Sequence, residues 1–172
     1  VDRLLARVFL HTAEAQYACY RPGESMALHC TVAALGTTGF RGEVRVSVAG
    51  QPLASTPVSL EPGEQTLCQW QATVTGAAPF VPLRFELWSE DRMPDAIDNG
   101  VVVWRQADID AGPSLGRDGP YLTFRGRRRF LVGSQWWWGQ VDSTTARSPL
   151  RLLQDARQMQ DLGFHVTRSF LR

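Results

Sequence analysis

The chain has 172 residues, 44% hydrophobic and 10% aromatic, with 18 basic and 17 acidic side chains, and every basic one is arginine. Without lysine it cannot form a Schiff base, anchor pyridoxal phosphate or build a Walker-type phosphate loop, and its near-zero net charge argues against nucleic acid as a partner. No apolar run approaches the roughly 20 residues that span a bilayer, so no membrane partner is expected.

The length allows one ordinary domain, or one small domain plus part of another. The start, Val1-Asp2-Arg3, has no signal-peptide pattern and reads as processed or excerpted; the localisation stays open, with a secreted or periplasmic setting slightly favoured. From residue 7 to about 105, short strands alternate with turns. Met26, Leu28, Cys30 and Val32 alternate with polar or small residues, as do Val44, Val46 and Val48, then Cys68, Trp70, Ala72 and Val74, then Leu83, Phe85 and Leu87. Such period-two patterns put each set on one face of a half-buried strand. An apolar run, Val101 to Trp104, comes next. Arg21-Pro22-Gly23-Glu24 and Glu61-Pro62-Gly63-Glu64 are turns, because proline pre-sets φ and glycine supplies φ > 0. About seven strands at this spacing predict two packed antiparallel sheets, an immunoglobulin-like β-sandwich over residues 1–105.

Three cysteines, Cys19, Cys30 and Cys68, show neither CxxC nor Cys/His ligand spacing. They read as buried free thiols, or as one bridge from Cys30 to Cys68 with Cys19 left over. His11, His29 and His165 are scattered, and no metal site or cofactor is expected.

Residues 106–119 hold three glycines, one proline and three aspartates without an apolar period, and read as an interdomain linker. Beyond it, Tyr121–Phe124 and Phe130–Val132 flank Arg125-Gly126-Arg127-Arg128-Arg129, which predicts a hairpin with Gly126 at its tip. The arginines cluster at that tip without a wider basic face. Gly133-Ser134-Gln135-Trp136-Trp137-Trp138-Gly139 reads as a strand running into a polar loop, Gln140 to Arg147. Ser148 and Pro149 start a helix, because the missing N–H of proline would be unpaired there in any case. Leu152, Leu153, Ala156, Met159 and Leu162 form its apolar stripe, and Gly163 stops it. Phe164 to Phe170 is the next strand. Strand, helix, strand in about 40 residues is a βαβ unit, which requires a parallel sheet. Two parallel strands cannot cover their own faces, so the segment reads as an incomplete domain whose apolar surface is met by more chain or by self-association.

The stretch Tyr121-Leu-Thr-Phe-Arg-Gly-Arg-Arg-Arg-Phe-Leu-Val-Gly-Ser-Gln-Trp-Trp, a helix, then Asp161-Leu-Gly-Phe-His-Val-Thr-Arg, resembles the entry to the (β/α)8 barrel of the glycoside hydrolase clan that includes family 2 and family 5 enzymes. The resemblance covers about 50 residues. It implies a mainly β chain: a sandwich, then the floor hairpin, strand 1, helix 1 and strand 2 of a truncated barrel over 120–172. Arg127 departs from a usual lysine and His165 from a frequent asparagine. Arg168 matches the arginine at the end of barrel strand 2, which in the family hydrogen-bonds to the nucleophilic carboxylate. A fixed guanidinium there stabilises and orients an ionised carboxylate; the alternative is a structural ion pair.

Trp136, Trp137 and Trp138 fall at the strand-1 end where active sites of this architecture are built. Indole faces suit the C–H patches of a pyranose, and the alternative is that all three pack the core. Asp142 is a candidate acceptor for a sugar hydroxyl, or a solvated loop residue. The resemblance thus implies a carbohydrate substrate and hydrolysis of O-glycosidic bonds, retaining and β-specific. Retention needs two carboxyl groups about 5 to 5.5 Å apart, and in the clan these are glutamates on strands 4 and 7. They are expected beyond Arg172, since the last glutamate here is Glu90. No catalytic residue is therefore assigned, and the isolated chain is expected to be inactive. The rival reading is a non-catalytic carbohydrate- or protein-binding sandwich.

Overall fold

The computed structural model describes residues 8–90, 92–112, 114–135, 149–164 and 166–168. The fold is mainly β. Eight strands build the first part: β1 (Val8–Ala15), β2 (Cys19–Tyr20), β3 (Ser25–Ala34), β4 (Phe40–Val48), β5 (Gln51–Leu60), β6 (Gln65–Thr73), β7 (Phe80–Ser89) and β8 (Arg92–Val103). They form a three-stranded sheet, β1-β3-β6, and a five-stranded sheet, β2-β8-β7-β4-β5. All pairings are antiparallel except that of β2 with β8. This is the strand order of an immunoglobulin-like sandwich whose first strand divides between the sheets as β1 and β2.

The alternating residues named from the sequence meet inside. Met26, Leu28, Cys30 and Val32 of β3, Val44 and Val46 of β4, and Leu83, Phe85 and Leu87 of β7 are all buried in one core. Trp70 tilts against Phe85 at 6.1 Å between ring centroids. Both open sides between the sheets are stitched by hydrogen bonds. On one, Trp70 Nε1 donates to Thr56 Oγ1 at 2.9 Å, joining β6 to β5. On the other, Asn99 Nδ2 donates to the Ala13 carbonyl at 3.0 Å, and Leu10 N–H, at the bulge of β1, donates to Asp95 at 2.8 Å. Cys30 and Cys68 are buried free thiols, and Cys19 is exposed.

The two Xaa-Pro-Gly-Glu segments fold alike. Gly23 (φ +85°) and Gly63 (φ +82°) take the left-handed position that a type II turn requires. Glu24 N–H and Glu64 N–H close the turns onto the Arg21 and Glu61 carbonyls, while their carboxylates accept from the Arg21 and Glu61 N–H groups. Each turn also bonds to the end of a neighbouring strand. Gly23 donates to the Val74 carbonyl and Gly63 to that of Ala34, so the turns pin opposite ends of the β3–β6 ladder.

Residues 106–119, read as an interdomain linker, contain a short helix α1 (Gln106–Ala111) and strand β9 (Leu115–Asp118). Strand β9 pairs with β10 (Tyr121–Phe124), which pairs with β11 (Arg127–Arg128) in a three-stranded meander. The hairpin therefore differs from the expected one. Arg125 (φ +53°) and Gly126 (φ +71°) form a two-residue turn that sets Phe124 opposite Arg127, and Phe130–Val132 lie beyond the return strand.

Strand β12 (Gly133–Gln135) and β13 (Val166–Arg168) are parallel, with helix α2 (Pro149–Asp161) between them in the chain. Helix α2 ends as predicted. Gly163 (φ +84°) donates to the Gln160 carbonyl and Phe164 to that of Met159, the paired bonds of a Schellman cap. Strand β13 falls within the predicted Phe164–Phe170, of which residues 165, 169 and 170 lie outside the described residues. Among the described residues no helix is long and apolar enough to cross a membrane.

Candidate functional site

In the parallel register, Gly133 faces Val166, Ser134 faces Thr167 and Gln135 faces Arg168. Gln135 and Arg168 thus stand side by side on the carboxyl side of the described register, and the carboxyl ends of parallel strands are where open α/β sheets place their ligand sites. Arg168 stands at that edge opposite Gln135, the residue after which the chain continues into Trp136. Helix α2, started at Pro149 and capped at Gly163, returns the chain so that β13 runs alongside β12. Trp136, Trp137, Trp138, Asp142 and His165 lie outside the described residues.

The carboxylates described nearby in sequence are not at this edge. Asp155, half-buried, and Asp161, exposed, belong to α2, and Asp118 on β9 bonds to Arg128 at 2.7 Å. Among the described residues no group of three or more His, Cys, Asp or Glu could hold a metal ion. Two of the hairpin arginines are engaged locally. Arg128 lies over the Tyr121 ring at 4.9 Å and Arg125 over Phe124 at 5.5 Å.

A second constellation, for which the sequence raised no expectation, crosses the outer face of the five-stranded sheet. Ser55 Oγ and Arg45 Nε donate to the two oxygens of Glu43. The Arg45 guanidinium lies 4.4 Å from the centroid of the Trp88 ring. Trp88 Nε1 donates to Glu86 Oε2 at 3.2 Å, Arg84 Nε donates to Glu86 Oε1 at 2.7 Å, and Arg84 reaches both oxygens of Asp98 at 2.8 and 3.0 Å. The line follows from register: Arg45 pairs with Glu86, and Arg84 with Asp98. Charges two apart in the chain at 43/45 and 84/86 were its sequence signal, since they share a strand face.

Its electrostatics are internally balanced. The hydrogen bond from Arg84 holds the Glu86 carboxyl below its ordinary value, and Glu86 and Asp98 raise the Arg84 guanidinium. Glu43 is lowered by Ser55 first and then by Arg45. Trp88, the outward aromatic of this sandwich face, has its ring under Arg45 and its N–H on Glu86. The sheet β1-β3-β6 carries a shallow depression of about 560 Å³ lined by Gln16, His29, Gln69 and Gln71, in which His29 Nε2 is 3.2 Å from Glu14.

No family model matches the chain. No curated protein matches it either. Among solved structures it is similar to a GH2 beta-galacturonidase from Eisenbergiella tayi bound to galacturonate, at 16% identity and a TM-score of 0.49, over 97% of this chain and 30% of that one. It is similar to a beta-glucosidase from Listeria innocua at 14% identity and a TM-score of 0.44, over 56% of this chain and 15% of that one. It is similar also to Spo0M, a sporulation control protein from Bacillus subtilis, at 14% identity and a TM-score of 0.47, over 64% of this chain and 58% of that one. The chain thus spans less than a third of the length of either glycosidase.

Proposed function

We propose that this chain is the N-terminal part of a glycoside hydrolase that cleaves β-linked O-glycosides with retention: an immunoglobulin-like sandwich followed by the first βαβ segment of a (β/α)8 barrel. The observation that carries the reading is the parallel register of Gln135 with Arg168 across helix α2. The neighbouring positions of Gln135, which precedes Trp136, and Arg168 support the motif resemblance. In this reading Arg168 orients the nucleophilic carboxylate, and Trp137 or Trp138 offers an indole face to a sugar ring. Asp142 and Trp136 are further substrate contacts. The acid/base and the nucleophile are supplied by later barrel strands, and no cofactor takes part.

The exposed apolar side chains support an unfinished domain. Leu115, Leu122, Phe130 and Leu162 are 57%, 44%, 89% and 70% exposed, and their burial against the remaining barrel would be favourable. The rival sandwich-only sugar module would use an open aromatic face, whereas the Trp88 ring is already covered by Arg45.

The test is turnover of aryl β-glycosides by the continuous parent protein, by its Arg168→Lys variant and by the 172-residue chain. Lysine keeps the charge but loses the planar fork. The expected loss in kcat/KM is on the order of 100-fold or more in the variant, with the circular dichroism spectrum unchanged and no turnover by the short chain. A parent indifferent to Arg168, or an active 172-residue chain, would overturn the reading.

A further inference from the structure

The sandwich core contains two thiols in direct opposition. Cys30 of β3 and Cys68 of β6 are register partners in an antiparallel ladder, and both face inward, at 0% and 6% exposure. Partners in such a ladder have Cα atoms about 4.5 or about 5.5 Å apart, depending on the hydrogen-bonding class of the pair, and both values fall within the roughly 4.4 to 6.8 Å that a disulfide spans. Opposed partners hold their Cβ atoms about 4.5 to 5.5 Å apart and a bridge takes about 3.5 to 4.5 Å, so bridging the pair needs at most a local approach of about 1 Å between the strands. Yet the ladder and the packed core also seal it. Burial pushes the Cys30 thiol up to about 12 and raises Cys68 as well, so neither is a thiolate near neutral pH. Cys19, the third cysteine, is exposed on β2 and belongs to the other sheet.

We infer that Cys30 and Cys68 form a folding-stage redox latch: they bridge if the chain meets a disulfide oxidant before the sheets close, and stay reduced and out of reach if it folds without one. The oxidant class is a low-molecular-weight disulfide. One cysteine thiolate attacks it, giving a mixed disulfide and releasing one thiol. The second thiolate then displaces the other half, so two cysteines are oxidised and one disulfide is reduced to two thiols. The latch therefore records the redox condition under which the sandwich closed. It is independent of the glycosidase reading.

The test uses the whole chain carrying Cys19→Ser, an exposed position that leaves the core unchanged. It is refolded from denaturant with either oxidised glutathione or a reductant, then alkylated in denaturant and analysed by intact mass and peptide mapping. Oxidative refolding is expected to give a linked Cys30–Cys68 peptide pair and a melting midpoint higher by on the order of 10 °C. The reductively folded protein, later incubated with the same oxidised glutathione, is expected to keep both thiols over hours. In a Cys30→Ala/Cys68→Ala double variant the midpoint difference between the two refolding routes should vanish. Two free thiols after oxidative refolding would overturn the proposal, and so would ready bridging in the folded reduced protein.

Discussion

Gly42 of β4 faces the backbone carbonyl of Trp88 so closely that a Cβ on residue 42 would stand 2.1 Å from that oxygen. The neighbour is main chain, so only a parting of β4 from β7 could relieve the clash. Gly100 is tight against the Phe80 ring, with 2.2 Å to Cζ, but a ring can swing outward. Gly116 meets only the Thr123 side chain, whose hydroxyl can rotate away. Alanine at the three positions is therefore expected to destabilise in the order 42, 100, 116, by about 3, about 1–2 and under about 1 kcal/mol. Urea denaturation of the three variants checks the order.

The two proline-glycine turns isolate a different effect. Around both Gly23 and Gly63 a Cβ would meet nothing within 4 Å, so only the positive φ opposes a side chain there. Gly23→Ala and Gly63→Ala should each cost about 1–2 kcal/mol. Lying at opposite ends of the β3–β6 ladder, they should add to within about 0.5 kcal/mol in the double variant. A much larger double-variant loss would mean that the turns act as one unit.

Glu86 makes stability depend on acid. Its folded-state value is lowered from the ordinary 4.5, chiefly by the Arg84 hydrogen bond. The contribution is therefore complete above the ordinary carboxylate value and is lost as pH falls through the lower folded one. Glu86→Gln should lower the melting temperature at neutral pH and lose less than the parent chain between neutral pH and about pH 3. Parallel melting curves for the two proteins would show that the ion pair is silent.

Apolar exposure in the C-terminal third makes a prediction about solution state. Phe130, 89% exposed, and Leu122, on the meander, are open to a second copy of the chain. Sedimentation velocity on the 172-residue protein should show concentration-dependent association at tens of micromolar, order of magnitude, and Phe130→Ser with Leu122→Ser should shift the boundary toward monomer. A 172-residue chain that stays monomeric throughout defeats the idea.

The sandwich was legible where burial is one-sided. Val44 and Val46 alternate with Arg45 and Ser47, and the structure puts the first pair in the core and the second on the outer face. Strand β5 left no such trace. It carries Pro52 and Pro57 and has one neighbour, β4, so it needs neither a full donor set nor strict alternation. The hairpin return strand was misplaced because Phe130–Val132 has the apolar composition of a strand. The turn at Arg125 and Gly126 decides otherwise, since two successive positive φ values close the loop at once. At the candidate edge, the order of strand, helix and strand was readable from the helix signals at Pro149 and Gly163. The charged line from Glu43 to Asp98 was not, because it exists only once register sets Arg45 beside Glu86 and Arg84 beside Asp98.

Arg105, two residues beyond the end of β8, holds Asp108 in the first turn of α1 and donates to the Ala77 carbonyl at 3.1 Å. The sandwich is thereby riveted to α1 through the loop ahead of β7. Strain passed to the sandwich from the C-terminal segment therefore has a path through that loop as well as along β8.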